Sequence, residues 1–327
     1  MLEYPTTGCN GAVVLTPLPG QQFAPAAKYQ PAGATSFYAE AAAHHATWAT
    51  TVHCTPGGRT HVLVPAPGQA SGTPQPLGLV NSYQSVNWSG YQDSNTAQYV
   101  QAGWTVPSVS EPPRFAKYSY DGYYASVWSG IGGGYGAAAG DPLIQSGTEQ
   151  TVPMGGGPSQ YTFWYEIVGG PSDSGQERDI SFSVAPGDYV GTTSIWTPTE
   201  TDPTEGTVLF GFRNFSNGQG CTQMAVNSPT TPQPGDTTEW IVEAPSSLYS
   251  GVLPLADFGI VHFQAAGWTA NWTGPGSSGY SIAQGVSPTP ITLHQHLTYD
   301  NHQYDIIAAP GSLDADGAGF TDTFSGP

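Results

Sequence analysis

The sequence predicts an all-β protein, a sandwich of two large antiparallel sheets. Three observations lead there. Turn formers are abundant, with 43 Gly and 30 Pro among 327 residues, and they cut the chain into short segments. Only 9% of residues are charged while 12% are aromatic, so long helices with Glu, Lys or Arg on a wet face have little to be built from. From about Val80 onward, short runs of strand character recur with no long helical run between them.

Taken in order, Gln98–Val106 stops at Pro107, and Tyr124–Ile131 stops at a triple glycine. Gln160–Val168 meets Gly169-Gly170-Pro171, and Asp179–Ala185 meets Pro186-Gly187-Asp188. Thr207–Phe215 runs into Ser216-Asn217-Gly218, and Glu239–Glu243 ends just before Pro245. Gly259–Phe263, Thr292–Tyr299 and Tyr304–Ala308 complete the set. Each stop is a residue type that favours turns or interrupts a hydrogen-bonded ladder.

Charge divides the chain. Residues 1–80 hold two acids (Glu3, Glu40) and two bases (Lys28, Arg59), while residues 81–327 hold 22 acids and four bases and so carry the whole net charge of −18. The first region also contains His44, His45, His53 and His61, an Ala-rich stretch from Ser36 to Val52 that reads as a short helix, and a Pro/Gly-rich stretch from Pro65 to Pro76 that reads as an exposed linker. The division expected is therefore residues 1–80 as a separate segment with its linker, and 81–327 as the main domain.

A pI near 4.4 speaks against nucleic acid and anionic membrane surfaces as partners. Two readings of the acidity stay open, plain solubility and adaptation to acid, where a chain with few bases gathers little positive charge. No apolar run reaches the ~18 residues that span a bilayer, and residues 1–20 show no signal-peptide pattern. The three cysteines form no metal motif; Cys9 with Cys54 could make a disulfide, leaving Cys221 free.

Two strings carry the chemistry, Leu143-Ile-Gln-Ser-Gly147 and Glu239-Trp-Ile-Val-Glu243. Each sets a hydrogen-bonding side chain in a strand-like or Gly-rich stretch, and an amide beside a carboxylate could hold an oxyanion and activate a water. Alternation puts Glu239, Ile241 and Glu243 on one face, and Glu166 on a face with Thr162 and Trp164. Taken singly, such residues are more often solvated glutamates or turn glutamines. Other catalytic sets are thin. Gly-x-Ser-x-Gly is absent, and Asp173-Ser-Gly175 stands without the second copy an aspartic protease needs. His294, His296, Asp300 and His302 form a mild cluster that reads as surface residues, so no metal and no cofactor are expected. Glu166 and Glu243 could instead be the carboxylate pair of a glycosidase, with Trp and Tyr stacking on sugars, or the sheet could be a lectin-like binding module.

Seven segments in order resemble the glutamic peptidase family, the eqolisins, and especially its bacterial branch. They are Asn87-Trp-Ser-Gly-Tyr91, Trp104-Thr-Val-Pro107, Val127-Trp-Ser-Gly-Ile-Gly-Gly133, Leu143-Ile-Gln-Ser-Gly-Thr148, Phe163-Trp-Tyr-Glu166, Val184-Ala-Pro-Gly-Asp188 and Glu239-Trp-Ile-Val-Glu243. The resemblance implies a concanavalin-like sandwich with a concave groove for an extended peptide. It further implies a dyad of Gln145 and Glu243 cutting unfolded polypeptide in acid, with Trp128, Trp164, Tyr165 and Glu166 supporting the site. It implies a secreted, pepstatin-insensitive, monomeric enzyme made as a zymogen, whose N-terminal segment covers the groove. Three departures stand out: Gly132 replaces a frequent acidic residue, Thr162 an aspartate of fungal members, and no cysteine lies near Gln145.

Overall fold

The computed structural model describes residues 12–13, 52–67, 75–77, 80–112, 121–138, 140–169, 177–181, 183–217, 219–225, 230–247, 249–272, 279–295 and 305–326. Apart from the 3-10 turn Ile282–Gln284, these residues contain strands and turns and no helix. The main strands are β1 (Val80–Ser85), β2 (Trp88–Ser94), β3 (Tyr99–Thr105), β4 (Gly122–Ile131), β5 (Leu143–Pro153), β6 (Gln160–Val168), β7 (Arg178–Ile180) and β8 (Tyr189–Pro198). They continue as β9 (Glu205–Asn214), β10 (Gln219–Ala225), β11 (Thr237–Glu243), β12 (Ile260–Thr269), β13 (Thr289–Gln295), β14 (Asp305–Leu313) and β15 (Phe320–Phe324).

One sheet runs β7-β6-β5-β4-β11-β2-β13-β14. The other runs β14-β15-β12-β3-β8-β9-β10. Strand β14 belongs to both and closes one side of the sandwich. All these pairings are antiparallel, as expected, while β1 joins β13 in parallel. Between the sheets lies an apolar core to which β4 gives Tyr123, Ala125, Val127 and Ile131, β6 gives Phe163, Tyr165 and Ile167, and β11 gives Trp240 and Val242. Period-2 alternation then sends the intervening residues, Trp128, Trp164 and Ile241 among them, to the opposite face of the first sheet, where they form a second cluster with Trp88 and Leu143.

Several expected elements change length. The strand expected over Asp179–Ala185 covers Arg178–Ile180, and residues 185–188 form a turn in which Asp188 N–H donates to Ala185 O (3.1 Å) and Asp188 Oδ2 accepts from Ala185 N–H (2.9 Å). Strand β12 runs on to Thr269 through a bulge between Gln264 and Gly267, with Ala265 at φ 50°. Strand β14 continues past Ala308 and shifts register after Pro310, which has no N–H for the ladder. The expected linker is partly ordered structure: Ala66 is buried with its N–H on Gln84 O (2.9 Å), and Gln75–Leu77 pairs with β1. Val52, where the expected short helix ends, begins a strand, Val52–Pro56, on the free edge of β7. The rest of that helix, Cys9, the Asp173-Ser-Gly175 string, and His296, Asp300 and His302 lie outside the described residues. Buried His294 meets Thr292 Oγ1 at 2.9 Å.

Candidate active site

The outward face of β5, β6, β4 and β11 gathers the expected residues. Gln145 stands directly across from Glu166 in the β5/β6 pair and from Gly130 in the β4/β5 pair. Trp128 stands across from Ile241 on one side and Gly147 on the other. Glycine at 147 is needed for this: a Cβ there would come within 2.3 Å of Val127 O and 2.6 Å of Trp128 Cβ. Strand β5 can therefore pass close beside Trp128, whose Nε1–H points at Glu243 Oε2 on β11, 2.8 Å away. Tyr165 is the exception among the expected site residues. Alternation turns it to the inter-sheet core, where it stacks on Phe210 with centroids 4.8 Å apart.

A residue from the N-terminal segment joins the two halves. His61 is fully buried over this face, its ring stacked on Trp164 at 3.8 Å and 8°. The His61 carbonyl accepts from Gln145 Nε2 (2.7 Å), and the same Nε2 donates to Glu166 Oε2 (3.0 Å), which also accepts the His61 N–H (2.9 Å). On the other side His61 Nδ1 lies 3.1 Å from Glu243 Oε2, and Nε2 lies 2.8 Å from Glu177 Oε2. Glu243 Oε1 accepts from Asn87 Nδ2 (3.0 Å). Two residues upstream, Arg59 Nε reaches Glu177 Oε1 (2.6 Å) and Glu149 Oε2 (2.7 Å), with its guanidinium 5.5 Å from the Tyr124 ring centre.

Burial dominates the acid–base balance here. It would lower the His61 pKa, but Glu243 and Glu177 outweigh it and carry the imidazole well above its usual value, so the ring is a cation at neutral pH. Burial also raises Glu243, though His61 and Trp128 work against it. Glu166 is pushed up to about 7 by burial, with His61 opposing, and Glu149 to about 8 by burial and the neighbouring Glu177. Glu177 alone moves down: its burial is outweighed by the hydrogen bond from His61 and the charge of Arg59. The short Arg59–Glu149 contact would suggest an ionised Glu149. Nε carries a single hydrogen, however, and it is donated to Glu177. The two cations of the site, Arg59 and His61, thus share Glu177 as their common carboxylate partner, while burial raises Glu149, Glu166, Glu243 and Asp179.

His61, Glu149 and Glu177 offer donor atoms within 4.8 Å of one another, as a metal site would. The Arg59 guanidinium already lies against both carboxylates, so the set fits an organic cation better than an ion. Sequence reading missed four residues. Glu149 was within reach, since it shares a face of β5 with Gln145 by simple alternation. Asn87 opens one of the seven strings but has no local signal for chemistry. Glu177 follows a Gly/Ser loop, and His61 is one histidine of four in the first region.

No curated protein sequence matches the chain closely. Among solved structures it is similar to scytalido-glutamic peptidase bound to a peptide-based transition-state analog, at TM-score 0.53 and 16% identity, over 73% of this chain and 98% of that one. It is also similar to SCP-B, a member of the eqolisin family of peptidases, in complex with the tripeptide Ala-Ile-His, at TM-score 0.50 and 17% identity over the same shares. At that identity the likeness concerns the fold. The sequence itself matches the model of the peptidase A4 family over residues 86–300, about two thirds of its length. By that match the chain belongs to the peptidase A4 family, the glutamic peptidases, and is a peptide hydrolase.

Proposed function

We propose that the chain is an acid-acting endopeptidase for unfolded polypeptide, with Gln145 and Glu243 as its catalytic dyad and residues 1–80 as a built-in inhibitor. One observation carries the reading. An extended peptide, Arg59-Thr-His-Val62, lies across this face with one backbone carbonyl on the Gln145 amide and a side chain in contact with Glu243. A substrate strand would lie the same way. The complexes of the similar enzymes with a transition-state analog and with a tripeptide support a peptide in this groove.

In such a complex Gln145 Nε2 donates to the developing oxyanion, a contribution of ~3 kcal/mol for one well-placed donor. Glu243 takes the proton of the attacking water and returns it to the leaving amine. Trp128 and Asn87 hold the two carboxylate oxygens of Glu243, and Glu166 fixes the Gln145 amide so that its N–H points at the carbonyl. Trp164 provides the wall against which a residue stacks. A carboxylate base suits acid, where a histidine base would be protonated. The chain's composition, poor in bases, fits a secreted enzyme working in acid.

The segment holds while Glu177 is ionised and His61 is protonated. The sign follows from the shifts: His61, raised, favours docking below ~6.5 and stops doing so only as pH climbs through its elevated value. Glu177, lowered, favours docking above ~4.3 and stops as pH falls through its depressed value. Acid that protonates Glu177 therefore removes the one partner shared by both cations, and the segment is released.

The test is digestion of a denatured protein at pH ~3.5, below the glutamate reference value, with and without pepstatin. Cleavage that pepstatin leaves unchanged is expected. Turnover of a polysaccharide in place of protein would instead support the glycosidase reading.

A further inference from the structure

We propose that His61–Val62 is the bond this enzyme cuts in its own chain, in cis, releasing residues 1–61 and leaving Val62 as the new N-terminus. The inference rests on the peptidase reading above and adds the register of the first cut.

The segment is held as a substrate strand on both edges. Arg59 and Thr60 pair with Ser247 and Ser246 on one side. On the other, Arg59 O accepts from Glu177 N–H (2.9 Å) and Gly57 N–H donates to Glu177 O (3.1 Å). This two-sided ladder fixes which carbonyl reaches the dyad, since a slip of one residue would turn every side chain to the other face. The carbonyl on Gln145 Nε2 is that of His61, so the peptide bond facing the dyad is the one to Val62. The following carbonyl is pinned as well: Asn87 Nδ2 donates to Val62 O (2.7 Å) and also to Glu243 Oε1 (3.0 Å). Val64 N–H donates to Asn87 Oδ1 (2.9 Å). The bond is thus bracketed by Gln145 before it and by Asn87, a partner of Glu243, after it.

The same residue explains why the bond survives at neutral pH. The His61 ring covers Glu243 Oε2, the oxygen that would hold the attacking water. Around that ring stand Glu243 from β11, Glu177 ahead of β7, Glu166 from β6 and, one step away beside Arg59, Glu149 from β5 and Asp179 from β7. Once acid protonates Glu177, the partner His61 shares with Arg59, the imidazolium swings away; water fills the space it leaves, relieves the burial that raised Glu243, and binds at its Oε2. The water oxygen then bonds to the His61 carbonyl carbon and its proton goes to Glu243. The carbon–nitrogen bond to Val62 breaks, and Glu243 passes the proton to the Val62 nitrogen. The products are a carboxyl group on His61 and a free amine on Val62. The new carboxyl lies among Glu166, Glu177 and Glu243, which favours its departure, whereas residues 62–66 keep their bonds to Asn87, Ser85 and Gln84.

The test uses the full chain. It is held at pH ~6, moved to pH ~3.5 across the glutamate range, and sampled over time by intact mass and N-terminal sequencing, with a denatured protein substrate assayed in parallel. The expected first products are residues 1–61 and a chain beginning at Val62, formed at a rate constant unchanged by dilution, as an intramolecular step requires. Glu243→Gln is expected to stay whole. A first cut elsewhere, such as in residues 68–79, or a rate that rises with concentration, overturns the inference while the substrate is still digested. Failure to cut either the segment or the substrate overturns the peptidase reading itself.

Discussion

At the residue scale, the site depends on hydrogen bonds that each have one replaceable partner. Glu243→Gln removes the proposed base while keeping shape, and a drop of roughly 10²–10⁴-fold in turnover is expected, the usual contribution of a general base. Trp128→Phe keeps the wall but removes the 2.8 Å bond to Glu243 Oε2. Its cost in transition-state stabilisation should be ~1.5–3 kcal/mol, read from kcat/KM against a short peptide. His61→Ala acts in the opposite direction. Without the imidazolium the segment loses its contacts with Glu243 and Glu177, so the unprocessed chain should gain roughly tenfold or more in activity at pH ~6. No gain there would mean that His61 is not the plug. Gln145 and Glu243 could be singled out as candidates because each sits in a string whose neighbours resemble a known family. His61 was not, because nothing local distinguishes it from His44, His45 or His53; only the strand pairing of Arg59-Thr60 brings it over Trp164.

At the element scale, the sandwich was legible because period-2 alternation and Gly/Pro stops are local signals. Gln160–Val168 was placed to the residue. Strands β1, β2, β5, β8, β10 and β15 were not among the strands expected, and β5 shows why. Leu143-Ile-Gln-Ser-Gly-Thr-Glu-Gln has few β-branched residues and a central glycine, yet it lies in the middle of the sheet, between β4 and β6. Tertiary packing decides it: Gly147 is the position that lets Trp128 lie against the strand. Gly147→Val should therefore destabilise the protein by roughly 1–3 kcal/mol, the cost of overpacking. It should also displace the Trp128 indole, visible as a changed fluorescence spectrum. Full stability with unchanged fluorescence would show that the close approach is not needed.

At the scale of the whole molecule, the acidity is more than a means of staying in solution. The core keeps carboxyl groups that burial holds neutral: Asp322 is pushed up to about 7, and Glu239 well above its usual value. Such raised groups bind protons in the folded state that the unfolded chain releases above ~4, so stability is fullest at or below that point and falls as pH rises toward 7. Denaturant unfolding of the processed enzyme should show this slope, and Asp322→Asn should flatten it; a stability that rises from pH 4 to 7 would contradict it. On the proposed function, the acid that stabilises the core is also the condition that protonates Glu177 and releases the segment. The central claim, that Gln145 and Glu243 together hydrolyse peptides, is tested most directly by the acid digestion of a denatured protein with Gln145→Ala. The account predicts a folded variant whose rate falls roughly hundredfold or more, the loss of one oxyanion donor. Near wild-type digestion by that variant would contradict it.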